Sequence, residues 1–97
     1  MYAIKNHPLI IEDMKQLNNS IQILVLKKIK QLQQSPELGK PLGNKNGMNL
    51  SGLKKVYVAK KQVRIVYEIL NNILIIRIVA IGKREDMEVY KEAEKRK

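Results

Sequence analysis

Residues 54–90 read KKVYVAKKQVRIVYEILNNILIIRIVAIGKREDMEVY, and this stretch decides the fold. Val63, Ile65, Tyr67 and Ile69 alternate with Arg64, Val66 and Glu68, the period of a strand with two different faces. Leu53 to Lys60 alternates in the same way, with Val56 and Val58 on one face and Lys55 and Tyr57 on the other. Ile73 to Ile81 is almost continuously apolar, interrupted by Arg77, as expected of a central strand covered on both faces. Lys60-Lys61-Gln62 reads as the first turn. Asn71-Asn72 reads as a tight hairpin turn, because asparagine tolerates positive φ. Together these segments predict a three-strand antiparallel meander ended by Gly82. Glu85 to Arg96, acidic first and basic last, predicts a terminal helix aligned with its dipole.

Upstream, Tyr2 to Lys5 is a short apolar stretch that reads as an edge strand. Pro8 suits the first turn of a helix carrying Ile10, Ile11, Met14 and Leu17 at helical spacing. A second helix is expected from Ser20 to Gln34, with Ile21, Leu24, Val25, Ile29 and Leu32 on one stripe and Lys27, Lys28 and Lys30 on the wet side. Asn19 and Gln22 have the spacing of a capping pair. Residues 35–50 hold two of the three prolines and three of the five glycines, and read as a loop. The expected class is α+β, one domain over residues 1–97. An N-terminal strand and a two-helix hairpin pack on an antiparallel sheet of about four strands, followed by a C-terminal helix. The hairpin covers one sheet face, and the other displays Lys55, Tyr57 and Arg64.

The chain has 97 residues, 19 basic and 9 acidic, for a net charge of +10. Five of the acids lie in residues 85–97, so the body ahead of them is strongly basic. Such a body favours a polyanionic partner, although a solvated lysine-rich face has the same composition. There is no cysteine, which excludes disulfides and thiolate metal sites and points to a reducing cytoplasm. The start, MYAIKNHPLII, lacks the unbroken apolar run of a signal peptide. No stretch reaches the roughly 20 apolar residues of a membrane span, so no membrane partner is expected.

The single histidine, His7, stands far in sequence from the basic cluster, and no metal-ligand grouping is evident; no metal and no cofactor are expected. What remains is a cationic set, Lys54, Lys55, Lys60, Lys61, Arg64, Lys83 and Arg84, with Tyr57 and Tyr90. Arginine matches phosphate with a bidentate fork, and tyrosine offers a flat surface to an unstacked base. RNA carries its own nucleophile, the 2′-hydroxyl, so a protein need only align it, move protons and stabilise charge on phosphorus.

Gln62-Val63-Arg64-Ile65-Val66-Tyr67-Glu68-Ile69, then an apolar strand, then Ile81-Gly82-Lys83-Arg84-Glu85-Asp86-Met87-Glu88-Val89-Tyr90 resembles a RelE-type toxin of the RelE/ParE superfamily. The early helical hairpin and Gly39-Lys40-Pro41-Leu42 fit the same pattern. The resemblance implies a bacterial, cytoplasmic toxin of a type II toxin–antitoxin pair. Such toxins enter the ribosomal A site and cleave mRNA, leaving a 2′,3′-cyclic phosphate. It implies Arg64 as the arginine that stabilises the phosphate in the transition state. Arg84 takes the place of the arginine near the leaving group, and Tyr90 that of the tyrosine that orients or stacks on mRNA. Lys55 matches the first of two strand lysines used for acid/base work; Tyr57 stands where the second is usual. Lys54, Lys60, Lys61 and Lys83 are expected to bind RNA. The implied protein partner is an acidic antitoxin that wraps the basic body, with a higher-order complex on operator DNA. Two alternatives remain at this point: a ParE-like inhibitor of DNA gyrase on the same fold, and a catalytically inactive RNA- or antitoxin-binding module.

Overall fold

The computed structural model describes residues 1–45, 47–83 and 87–97. The elements follow in the order β1 (Ala3–Asn6), α1 (Ile10–Lys15), α2 (Asn19–Gln34), β2 (Lys40–Lys45), β3 (Met48–Val58), β4 (Val63–Leu70), β5 (Ile75–Lys83) and α3 (Glu88–Arg96). The strands form one mixed sheet in the order β1-β5-β4-β3-β2. β1 runs parallel to β5, and every other neighbouring pair is antiparallel.

Alternation along the strands sorts the apolar residues onto two faces. Val58, Val63, Ile65, Tyr67, Ile76, Ile78 and Ile81 pack with Ile10 of α1, with Leu17 and with Val25 and Leu32 of α2. Leu50, Leu53, Val66, Val79 and Ala80 pack with Val89, Tyr90 and Ala93 of α3. Val79 and Ala80 are adjacent yet join the same cluster, because the β4–β5 register shifts between Val66 and Tyr67. A bulge of this kind gives one strand an extra residue and re-aims side chains beyond it.

The helical hairpin is tied by side chains. Asn18 is the cap of α2, its Oδ1 accepting the Ile21 N–H at 3.0 Å, so the cap lies one residue earlier than the Asn19–Gln22 spacing predicts. Gln22 serves the preceding helix instead: its Nε2 donates to the carbonyls of Met14 and Leu17 at 2.8 and 2.9 Å.

The sheet has five strands where about four were expected, because residues 35–50 are not a loop. Pro36–Leu38 forms a 3-10 turn, Lys40–Lys45 is β2, and β3 begins at Met48. The physical reason is position. β2 is the outer strand, where Pro41 leaves no interior ladder bond unmade, and among the described residues of this region Leu42, Met48 and Leu50 supply the apolar side chains that turn inward. The second hairpin also differs: Asn71–Ile73 is a 3-10 turn closed by Leu74 at φ 53°, not a two-residue turn. The side chain of Asn71 is occupied by the residue just before β1, accepting from the Tyr2 hydroxyl at 2.7 Å. β5 continues past Gly82 to Lys83, and α3 starts at Glu88.

Candidate active site

The register places the predicted cluster. Tyr57 on β3 stands directly across from Arg64 on β4, and Arg64 directly across from Gly82 on β5. Lys55 lies two residues from Tyr57 on the same face. α3 closes over this face and adds Tyr90. Gly82 permits the closure by its size: a Cβ there would lie 3.0 Å from that of Val89. The helix is held down at its far end by Arg96, which bonds both oxygens of Asp13 at 2.7 and 3.0 Å and the Val79 carbonyl at 3.1 Å.

Arg64 is therefore a buried cation, 9% exposed. Its guanidinium carbon lies 4.7 Å from the centre of the Tyr90 ring and 5.6 Å from that of Tyr57. Its Nε and Nη1 have no hydrogen-bond partner among the described residues. Buried polar groups are ordinarily satisfied, so these unmet donors mark Arg64 as a candidate contact for an anionic group. Glu68 does not neutralise it: that carboxylate pairs with Arg77 across β5 at 3.4 Å.

Tyr57 is surrounded by cations. The Lys55 ammonium donates to its hydroxyl at 3.0 Å and lies 4.9 Å from the ring centre, and Lys61 lies 5.7 Å from it. The hydrogen bond from Lys55 pulls the Tyr57 phenol down to about 8; burial opposes, and the charges of Lys55 and Arg64 add to the pull. Tyr90 goes the other way. Burial raises its phenol above the ordinary value, against the charges of Arg64 and Lys55.

The turn from β3 to β4 aims Lys61. Ala59, Lys60 and Lys61 have φ of 54°, 55° and 72°. Left-handed backbone costs a non-glycine residue about 1–2 kcal/mol, so a run of three is stored strain of the kind found at functional turns. Lys60 and Lys61 line an open cleft of about 490 Å³ with Tyr57 and with Lys27, Lys28 and Gln31 of α2. A larger cleft of about 750 Å³ lies between the same two lysines, Lys83 and the α1–α2 junction, and neither Tyr57 nor Arg64 lines it.

The structure thus brings Arg64, Tyr57, Tyr90, Lys55 and Lys61 together. Lys60 lines both clefts, and Lys83 only the larger one. Lys54 faces the other way and pairs with Glu37 at 3.4 Å. Arg84 lies outside the described residues. His7 is a helix-entry residue whose Nδ1 accepts the Leu9 N–H at 3.1 Å. Among the described residues no three His, Cys, Asp or Glu side chains converge as metal ligands, and no helix is long and apolar enough to cross a membrane. Lys27 and Lys28 were missed as neighbours of Tyr57; their only sequence signal was a basic run on the wet side of a helix. The role of Gly82 had no signal beyond its place at the end of an apolar strand.

The family described as the ParE toxin of type II toxin–antitoxin system, parDE, matches residues 4–88. A protein of Escherichia coli named as a RelE-like toxin is 31% identical over 98 residues, covering 98% of this chain and 96% of that one. The mRNA interferase toxin RelE of E. coli strain K12 is 28% identical over 89 residues, covering 89% and 86%. A solved structure of a double arginine-to-alanine mutant of E. coli toxin RelE, in the free state, has a TM-score of 0.76 at 25% identity, over 98% of this chain and 96% of that chain. The toxin–antitoxin complex RelBE2 of Mycobacterium tuberculosis shares the fold, with a TM-score of 0.71 at 21% identity over 86% and 98%.

Proposed function

Since this chain belongs to the RelE/ParE superfamily of type II toxins, as a RelE-type toxin, we propose that it is an mRNA endonuclease that acts on the ribosome and stops translation. The observation that carries the reading is Arg64. A buried guanidinium with unmet Nε and Nη1 donors, between two tyrosine rings, suits a phosphate more than any group of the protein itself.

In this reaction the 2′-oxygen of one nucleotide attacks the adjacent phosphorus, and the 5′-oxygen of the next nucleotide leaves. The products are a 2′,3′-cyclic phosphate and a 5′-hydroxyl. Charge builds on the non-bridging oxygens as the bond forms, and Arg64 receives it from a fixed position, which lowers the barrier. Tyr90, a fully buried residue of α3, packs its ring against one side of the guanidinium and so orients it toward the mRNA. Arg84 acts near the leaving oxygen, a role that rests on the family resemblance. Lys60, Lys61 and Lys83 hold neighbouring phosphates, and the chemistry needs no metal ion.

The partner in the cell is an acidic antitoxin. Relatives of this fold have been solved with an antitoxin, including the intact E. coli RelBE complex, and a net charge of +10 attracts an acidic chain. The pair assembles further on operator DNA, and the toxin works in the bacterial cytoplasm, where ribosomes are. The test is to add the purified protein to mRNA-programmed ribosomes and, separately, to DNA gyrase. Cut mRNA with unimpaired supercoiling is the expected result. Intact mRNA with supercoiling blocked would assign the chain to gyrase inhibition instead.

A further inference from the structure

We propose that Tyr57 is the base that takes the proton from the attacking 2′-hydroxyl, with Lys55 as its positioning partner; this rests on the ribonuclease reading above. Tyr57 is placed for it. Its cross-strand partner is Arg64, so a phosphate seated on the Arg64 donors brings the adjacent ribose to the same sheet face as the phenol. A stacking platform would need a clear ring. The Tyr57 ring instead has Lys55, Arg64 and Lys61 at 4.9, 5.6 and 5.7 Å from its centre.

Among the described residues, the charges placed against the Tyr57 ring are of one sign. Lys55 comes from its own strand, Lys61 from the turn and Arg64 from β4. Lys27 and Lys28 of α2 line the cleft it shares, and from α3 the neighbouring titratable group is Tyr90. This surrounding favours the phenolate, and the phenol at about 8 is ionised to roughly a tenth at pH 7. A base whose pKa lies near the working pH is effective without being permanently protonated. Lys55 is the donor in the 3.0 Å bond to the phenol oxygen, so it holds the phenolate in place and does not itself receive the proton.

The step balances as follows. The phenolate oxygen of Tyr57 accepts the 2′-hydroxyl proton while the 2′-oxygen forms its bond to phosphorus. The bond from phosphorus to the 5′-oxygen breaks, and that oxygen takes a proton from water. The hydroxide so formed removes the proton from the Tyr57 phenol, which restores the base. No water is consumed.

Tyr57→Phe keeps the ring and its cation contacts and removes only the oxygen, which separates base from platform. On programmed ribosomes its single-turnover cleavage should fall by about 10²- to 10⁴-fold. The wild-type rate should climb tenfold per pH unit and level off above about 8, whereas the variant's profile should be flat. Fluorotyrosine at position 57, a more acidic phenol, should move the levelling point down. In the isolated protein, phenolate absorbance should show one tyrosine titrating near 8, absent in Tyr57→Phe and displaced upward in Lys55→Met. Wild-type rate and profile in Tyr57→Phe would overturn the assignment while the ribonuclease reading stood, as would the absence of a phenol titrating near 8. No cleavage by the wild type would overturn the ribonuclease reading, and the base with it.

Discussion

Replacing Arg64 with methionine should stabilise the protein while disabling it. Arg64 is 9% exposed, and its Nε and Nη1 have no partner among the described residues. Each buried, unsatisfied polar group costs about 1–3 kcal/mol. Against that stand contacts with the rings of Tyr90 and Tyr57 at 4.7 and 5.6 Å. Such contacts return about 0.5–2 kcal/mol each. Methionine has similar length, carries no unmet donor, and makes its own sulfur–aromatic contacts worth about 0.3–1.5 kcal/mol. The balance leaves the variant more stable by about 1–2 kcal/mol. In a domain of this size each kcal/mol moves the melting temperature by about 4–8 °C. Urea titration and a thermal scan followed by circular dichroism measure both quantities. A variant less stable than the wild type by 1 kcal/mol or more would show that Arg64 is a structural cation, buried because the fold needs it.

Three further outcomes follow from the packing. Gly39→Ala should cost about 3 kcal/mol, the upper end for overpacking, because a Cβ there overlaps the Tyr67 hydroxyl and lies 2.6 Å from the Lys55 carbonyl. Chemical denaturation reads the loss, and an unchanged midpoint would contradict the packing of that corner. Arg96→Met leaves Asp13 without its bidentate partner. Breaking a pair this buried costs about 3–5 kcal/mol, so α3 should loosen before the sheet does. Faster amide hydrogen exchange at Tyr90 and Lys91, with β4 and β5 still protected, is the expected pattern. Above pH 10 the protein should lose stability. Burial raises the phenols of Tyr67 and Tyr90, so their contribution is whole below the ordinary tyrosine value and disappears as pH climbs through the raised ones. Denaturation midpoints from pH 8 to 11.5 test this, and Tyr67→Phe should flatten part of the decline.

The sheet was legible where one residue in two is apolar. The alternation from Val63 to Ile69 placed Arg64 opposite Ile65 in facing, and the face shared with Tyr57 followed from it. β2 was not legible, because an outer strand containing Pro41 and Gly43 has little alternation to show. Lys54 and Lys55 looked like one cluster, yet the pleat sends neighbours to opposite faces, one to Glu37 and the other to Tyr57. The burial of Arg64 was also out of reach. It depends on α3 lying across the sheet, which requires Gly82 beside Val89 and Asp13 beneath Arg96. The Asp13–Arg96 contact joins residues 83 apart in sequence, and no local pattern announces either contact.

The decisive quantity is the rate of mRNA cleavage on programmed ribosomes, in a single turnover, for the wild type and for Arg64→Met, with the ends of the cut RNA identified. The anion seat at Arg64 predicts wild-type products ending in 2′,3′-cyclic phosphate and 5′-hydroxyl. It also predicts a rate loss of at least about 10²- to 10³-fold in a variant that is folded and no less stable. Equal rates for the two proteins, or uncut mRNA with the wild type, would contradict it.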